Sequence, residues 1–175
     1  MNSEKQSPAP EQATSQSRWP KVPKLVWILL IWALGTWGLW IYVTRPEVPP
    51  LEEGLLSLAH NVRVDLTADA WGRDFQARLE DGGKKFTDPD HKDAHKVLFI
   101  LEALRAGRLD AACATGRSIE GQAKRDEMLG TLVQRAAENC ETLALGAWAA
   151  TAMRGKDARI PVHELLNERW DDCPR

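Results

Sequence analysis

One uninterrupted apolar stretch constrains this chain more than any other feature. Residues 25–43 read LVWILLIWALGTWGLWIYV and contain no charged side chain. A helix of that length rises about 28 Å at ~1.5 Å per residue, close to the ~30 Å hydrocarbon core of a bilayer. Lys24 and Arg45 bracket the stretch, and no small-residue cleavage site follows it. The sequence therefore predicts an uncleaved, single transmembrane helix over residues 25–43.

The flanking charges predict the orientation of that helix. The residues before it carry four basic and two acidic side chains, whereas Arg45 is followed by Glu47, Glu52 and Glu53. Because Lys and Arg stay on the cytoplasmic side, the N-terminus is expected in the cytoplasm and the remainder in the periplasm. The predicted localisation is the cell inner membrane, with the lipid bilayer as one partner. A net charge of -2 gives no reason to expect nucleic acid as another.

Composition divides the chain into four segments. Residues 1–24 are rich in Ser, Gln, Pro and Ala and predict a disordered cytoplasmic tail before the helix over 25–43. Residues 44–50 contain three prolines and predict a stiff linker. Residues 51–175 show helical periodicity, short connections and helix-ending glycines, which predict a periplasmic all-helical domain. The predicted fold class is all-α: one N-terminal transmembrane helix plus a small periplasmic helical bundle or a set of helical hairpins.

A helix is expected to begin after Asp88 and to end at Gly107. Asp88 is a suitable N-cap and Pro89 a suitable first helical residue. The helical spacing predicts one apolar face, formed by Ala94, Val97, Leu98, Leu101 and Leu104.

The stretch from residue 93 to residue 154 has a helix-turn-helix rhythm. Its segments read AGRLDAACATGRSI, KRDEMLGTLVQRAAEN and CETLALGAWAATAM, and Ala112 and Ala144 lie 32 residues apart. This rhythm resembles the tetratricopeptide-like helical repeats, whose period is about 34 residues. The resemblance implies stacked helix pairs that present a groove to a peptide or a partner protein. A generic helical bundle with Ala-rich contacts is the alternative for the same residues.

Two glycines mark a candidate packing face on the transmembrane helix. Gly35 and Gly38 lie about 60° apart on a helical wheel and share an arc with Tyr42. Small residues let a second helix approach closely, so this arc predicts a docking face, and a lipid-exposed anchor with incidental glycines is the alternative. Trp32 and Trp37 are expected at mid-depth, where an indole N–H finds no water.

Histidines and cysteines supply the candidate chemistry. His91 and His95 lie four residues apart within DPDHKDAH, a spacing that can place two imidazoles on one helix face, so they are weak candidates for metal ligands. The acidic residues around them equally fit a solvated helix start, and no cofactor is predicted. In a translocated domain, Cys140 and Cys173 are expected to form a disulfide. Pairing of Cys140 with Cys113 is the alternative, although Cys113 lies on an apolar stripe typical of core.

The sequence contains no phosphate-binding loop, nucleophile elbow or Cys-x-x-Cys motif. The leading prediction is therefore a non-enzymatic inner-membrane protein whose periplasmic domain scaffolds, assembles or stabilises a larger envelope complex with other membrane or periplasmic proteins. One alternative is an accessory subunit of an energy-transducing (respiratory or photosynthetic) membrane enzyme, with the Trp-rich helix packed on a pigment or quinone. Another is a periplasmic metal or thiol protein.

Overall fold

The computed structural model describes residues 23–43 and 46–174, except for the side chains of Leu25 and residues 41–43. Within these ranges all regular structure is helical, so the all-α part of the predicted fold is confirmed. The predicted disordered tail falls almost entirely outside the described residues. The chain divides into two compact units, Met1–Pro46 and Glu47–Arg175.

The described part of the first unit is one helix, α1 (Lys24–Val43). Its large apolar side chains between Val26 and Trp40 are 40% to 71% exposed. The Thr36 hydroxyl donates to the carbonyl oxygens of Trp32 and Ala33, both at 3.0 Å, so the polar side chain at mid-helix is satisfied by the helix itself. Burial of the apolar side chains therefore has to come from outside this helix.

The prediction of a transmembrane helix over residues 25–43 is wrong. No helix formed by the described residues is both long and apolar enough to cross a membrane. Trp, Gly or Thr occupies seven of the fifteen positions from Val26 to Trp40, and these residues lower the mean hydropathy of α1 relative to an all-aliphatic helix. The inner-membrane localisation rested on this helix and is wrong for the same reason.

The second unit consists, over its described residues, of seven helices joined by short connections. They are α2 (Glu53–Asn61), α3 (Ala70–Lys84), α4 (Pro89–Arg105), α5 (Leu109–Arg117), α6 (Gln122–Ala136), α7 (Leu143–Ala150) and α8 (Lys156–Asp172). A 3₁₀ turn, Cys140–Thr142, leads directly into α7. α8 begins before Pro161 and continues through it. Packing of the buried Val162 and Leu166 outweighs the one backbone hydrogen bond that the proline removes.

Two helical hairpins follow one another from α4 onward. α4 pairs with α5, α6 pairs with α7, and α6 also packs along α8. Buried positions of the first helices recur 33 residues apart, where Phe99, Ile100 and Ala103 correspond to Leu132, Val133 and Ala136. Buried positions on and just after the second helices recur 34 residues apart, where Cys113 of α5 corresponds to Ala147 of α7, and Ile119 after α5 to Met153 after α7. The unit therefore contains two successive helical hairpins and the first helix of a third.

α2 precedes the hairpins in sequence but packs at their far end. It lies against α7, and Gly54 faces the ring of Trp170 on α8. Asn167 of α8 holds the segment before α2, because its side-chain amide donates to Pro50 O at 2.8 Å and accepts from Glu52 N at 3.0 Å. α2 thus covers the core where the third hairpin lacks a second helix.

Two buried carboxylates hold the connections between hairpins. Asp93 on α4 accepts hydrogen bonds from the backbone N–H groups of residues 120 and 121, at 3.0 and 2.7 Å. Asp126 on α6 accepts from those of residues 154 and 155, at 3.0 and 2.6 Å. Each pair of donors lies immediately before a helix, α6 or α8, where the first turn leaves backbone donors without helical partners. A buried aspartate therefore fixes the start of α6 and of α8 in the same way.

A disulfide attaches the end of α8 to the turn before α7. Cys140 and Cys173 are bonded, with 5.7 Å between their Cα atoms, the first of the two pairings expected from the sequence. Cys113 is free and buried on α5. Burial raises the pKa of the Cys113 thiol to about 12, so this side chain behaves as an inert part of the core.

Candidate protein-binding face

α4 carries a line of exposed side chains with coiled-coil spacing. His91, Ala94, Leu98, Leu101 and Arg105 follow one another at intervals of three, four, three and four residues. This spacing keeps them on one helix face, as at the a and d positions of a coiled coil. All five are exposed, and Leu98 and Leu101 are 64% and 42% exposed. We call these five residues the α4 seam.

The seam is the side of α4 that neighbouring helices leave uncovered. Ile100 is buried next to Gly116 of α5. Phe99 meets Phe75 of α3 edge to face, with 5.2 Å between ring centroids. α4 does not pack along α6 in the way that α6 packs along α8. Helices therefore cover two sides of α4, and a third side remains open to solvent.

The sequence assigned three seam residues to a single apolar face with core-type spacing. The structure instead buries Phe99, Ile100 and Ala103, leaves Val97 and Leu104 half-buried, and exposes Ala94, Leu98 and Leu101. α4 is apolar on more than one side, so helical periodicity alone does not show which side faces the core. One signal in the sequence could have identified the seam. Its three- and four-residue steps continue beyond the apolar residues to His91 at one end and Arg105 at the other.

The equivalent face of α6 is polar. The 33-residue shift that matches the buried positions of α4 and α6 places the seam on Lys124, Glu127, Thr131 and Gln134 of α6 and on Glu138, two residues after its end. All five of these residues are exposed. Because an equivalent helix in the same unit accepts polar side chains at these positions, the fold does not require leucine there.

An ion pair borders the seam on the side of α3. Arg78 donates to the two carboxylate oxygens of Glu102 at 2.6 and 3.1 Å, and to Asp74 at 2.8 Å. Hydrogen bonds from Arg78 hold the pKa of the Glu102 carboxyl below its usual value, although burial opposes them. The guanidinium also lies 5.6 Å from the ring centroid of Phe99. The pair links α3 to α4 and gives the seam a fixed polar edge.

The two ends of the seam carry opposite charges. At the N-terminal end, Asp88 Oδ2 lies 2.7 Å from His91 Nδ1, and Asp90 is the acidic residue of the first turn. At the C-terminal end, Arg105 is exposed and has no ion-pair partner within the described part of the chain. An acidic start and a basic end both complement the helix dipole. A binding partner would meet an apolar centre between an acidic and a basic end.

The two weak candidates for metal ligands lie in different surroundings. His91 is exposed at the start of the seam, whereas His95 packs against the rings of Phe86 and Phe99, at 5.5 and 4.7 Å between centroids. The Nε2 atom of His95 faces Gly82 of α3. Among the residues with described positions, no three His, Cys, Asp or Glu side chains come close enough to hold a metal ion. His95 is a packing residue between α3 and α4.

On α1, the predicted packing residues line an open surface. Within the described residues nothing lies within 4 Å of a Cβ atom built on Gly35 or Gly38. Trp32 and Trp37 line a cleft of about 570 Å³ on the helix surface. The side chain of Tyr42 lies outside the described residues. Helix packing through this face stays a prediction.

Comparison with known proteins adds no assignment. No protein family, no curated protein and no solved structure matches this chain. The functional assignment therefore rests on the geometry of α4.

Proposed function

We propose that this protein is a non-catalytic assembly subunit that binds another polypeptide along the α4 seam. The exposure of Leu98 and Leu101, on a face whose counterpart on α6 is polar, is the observation that supports this most. Leucines that the fold does not require are most simply explained by a partner that covers them. The role is to hold or stabilise a larger protein assembly.

The spacing of the seam favours a helix as the bound element. Side chains in three- and four-residue steps interdigitate with those of a second amphipathic helix, knob into hole. Covering Leu98 and Leu101 would contribute about 1–2 kcal/mol each, since about half of each side chain is still accessible. A contact of this size gives specificity and modest affinity rather than a permanent complex.

α1 supports the same function as a second contact surface. Large apolar side chains are exposed on all of its sides, from Val26 to Trp40. An apolar surface of this extent favours association with apolar helices of a partner. Gly35 and Gly38 would allow the closest approach, because no side chain stands between the helix backbone and an incoming one.

Photo-crosslinking from one defined position tests this proposal. Benzoylphenylalanine would replace Leu98 in the full chain, with the same replacement at Thr131 of α6 as the matched control. We expect a light-dependent adduct with a polypeptide from position 98 and little from position 131. Equal, low adduct yields at the two positions would contradict the proposal.

Replacing the two seam leucines with the corresponding α6 residues removes the binding surface without disturbing the core. Leu98→Thr together with Leu101→Gln installs the α6 residues on α4, and the photo-reactive residue is then placed at Ala94. We expect adduct formation to fall to the level of the α6 control, while the free energy of unfolding changes by no more than about 0.5 kcal/mol. Retention of the adduct would show that the leucines do not carry the interaction.

A second candidate function rests on the cleft of α1. The indoles of Trp32 and Trp37 line a hollow large enough for a flat aromatic ring. In this case the protein is an accessory subunit that packs on a pigment or quinone held by its partner enzyme. Absorption of the purified complex above the tryptophan band would support this function, and its loss in Trp32→Leu would connect it to the cleft. A complex with tryptophan absorption alone would exclude it.

A further inference from the structure

We infer that the partner on the α4 seam is a second copy of this chain, bound with its α4 antiparallel to the first. This inference rests on the proposed function and names the partner. A surface that binds its own copy across a two-fold axis must be complementary to itself. The order of residues along the seam is complementary to itself only when the two α4 helices are antiparallel.

The apolar centre of the seam fixes the register. If the two-fold axis passes between Leu98 and Leu101, each Leu98 packs against Leu101 of the second copy, and both apolar layers are filled. The next layer outward pairs Ala94 with Arg105 of the second copy. A small residue opposite a long one leaves room for the arginine stem to lie along the helix surface.

The charges at the two ends select the antiparallel orientation. In the register above, Arg105 of one copy points toward the first helical turn of the other, where Asp88 and Asp90 lie. Two such contacts form, one at each end of the helix pair. A parallel pair would instead place the two Arg105 side chains against each other. Antiparallel helices also bring opposite dipole ends together.

The same test excludes α6 as the self-associating helix. Its corresponding positions carry Thr131 and Gln134 at the centre, and Glu127 and Glu138 to either side. A two-fold axis through that face would bring acidic side chains together with no apolar layer to offset their repulsion. The α4 seam is therefore complementary to itself, whereas the corresponding face of α6 is not.

The dimer is expected to be weak. α4 is a helix of 17 residues, about 25 Å long, with three apolar positions on the seam. Such a contact falls at or below the ~1,200 Å² lower limit of stable interfaces, which favours a reversible association populated at high local concentration. Covalent trapping is therefore a better readout than elution volume.

Charge reversal with a photo-reactive residue at position 98 tests the inference in the full chain. Asp90→Arg alone and Arg105→Asp alone each replace attraction with repulsion at both ends of the pair, so each is expected to lower the yield of the dimeric adduct about tenfold. The double variant restores opposite charges at both ends and is expected to recover the parent yield. Glu127→Arg, a matched reversal on the exposed face of α6, is expected to leave the yield unchanged.

Each outcome has one consequence. An adduct with the mass of two chains, together with recovery in the double variant, supports the inference. An adduct with a different polypeptide overturns the second-copy inference but leaves the proposed function standing, whereas the absence of adduct above the position-131 control overturns both. Failure of the double variant to recover overturns the antiparallel pairing. Unfolding cannot produce the expected pattern, because the double variant contains both single changes.

Discussion

Removal of the Asp93 carboxylate is expected to destabilise the second unit more than any other change to a single acidic side chain of α4. Asp93 is 2% exposed and accepts hydrogen bonds from two backbone N–H groups at 3.0 and 2.7 Å. The distance from Lys96 Nζ to Asp93 Oδ1 is 3.4 Å. Each hydrogen bond to a charged acceptor contributes about 1.5–3 kcal/mol. The net loss is smaller than the sum of two such bonds, because water can bind the two N–H groups once the side chain has been removed. Asp93→Ala should therefore cost about 2–4 kcal/mol.

The pH dependence of that loss follows from the same contacts. Burial raises the pKa of Asp93, but hydrogen bonds from residues 120 and 121 and the nearby Lys96 ammonium outweigh it and leave the pKa below the usual value. A carboxyl whose folded pKa is lowered contributes stability above its unfolded pKa, and this contribution is lost as the pH falls through the folded pKa. The difference between parent and Asp93→Ala should accordingly be full near neutral pH and shrink below about pH 4.

Urea unfolding followed by far-UV circular dichroism measures both effects. The midpoint should fall while the slope with denaturant stays constant, since the variant changes stability and not the extent of unfolding. Glu127→Ala is the control, because this carboxylate is exposed on α6. Asp126→Ala should resemble Asp93→Ala, because it removes the corresponding contacts one repeat later. A loss below about 0.5 kcal/mol for Asp93→Ala would refute the role assigned to the carboxylate.

Three further predictions concern the packing and closure of the second unit. Cys140→Ser with Cys173→Ser opens a link across 33 residues and should lower the free energy of unfolding by about 3–4 kcal/mol, and the parent in reducing agent should melt like the variant. A parent that melts equally with and without reductant would contradict this. Gly82→Ala places a Cβ against the His95 ring and should lower the free energy of unfolding, measured by thermal unfolding, by about 1–3 kcal/mol. Gly83→Ala, where nothing lies within 4 Å of the added Cβ, should be neutral or stabilising. Equal effects of the two changes would exclude a close contact at Gly82. His163 is buried with Nδ1 2.7 Å from Pro49 O, and desolvation lowers its pKa despite that hydrogen bond. Its neutral form is therefore favoured on folding, so stability should fall as the pH drops below about 6.5, and His163→Leu should reduce that slope; an unchanged slope would show that other groups cause it.

Local patterns were sufficient for the helices but not for what connects them. The prediction of helices separated by glycines and prolines rested on contacts within a few residues, and the structure has helices in all of those regions. Asp93, in contrast, bonds to residues 27 and 28 positions later, a distance at which no spacing rule applies.

The candidate site was hidden by an excess of apolar residues rather than by a lack of signal. Between residues 97 and 104, α4 has apolar side chains on several sides, and the choice of the core side is made by α3 and α5. Sequence periodicity describes one helix at a time, so it cannot register which neighbours are present. The exposed leucines could be recognised only after Phe99 and Ile100 had been placed in the core.

The spacing between equivalent residues of the two hairpins could also not be read from residue identity alone. Residue identity suggested a match of Ala112 with Ala144, 32 residues apart, whereas burial matches Ala112 with Gly146, at 34. At that register Gly146 brings α7 close to Ala136 of α6, a role that a second alanine would obstruct. Equivalence in a helical hairpin is thus defined by the space a residue occupies, and two hairpins with similar cores can differ freely on their open sides. The fold does not require leucine on α4, because the equivalent positions of α6 carry threonine and glutamine. This difference is the reason for placing the proposed binding surface on the seam.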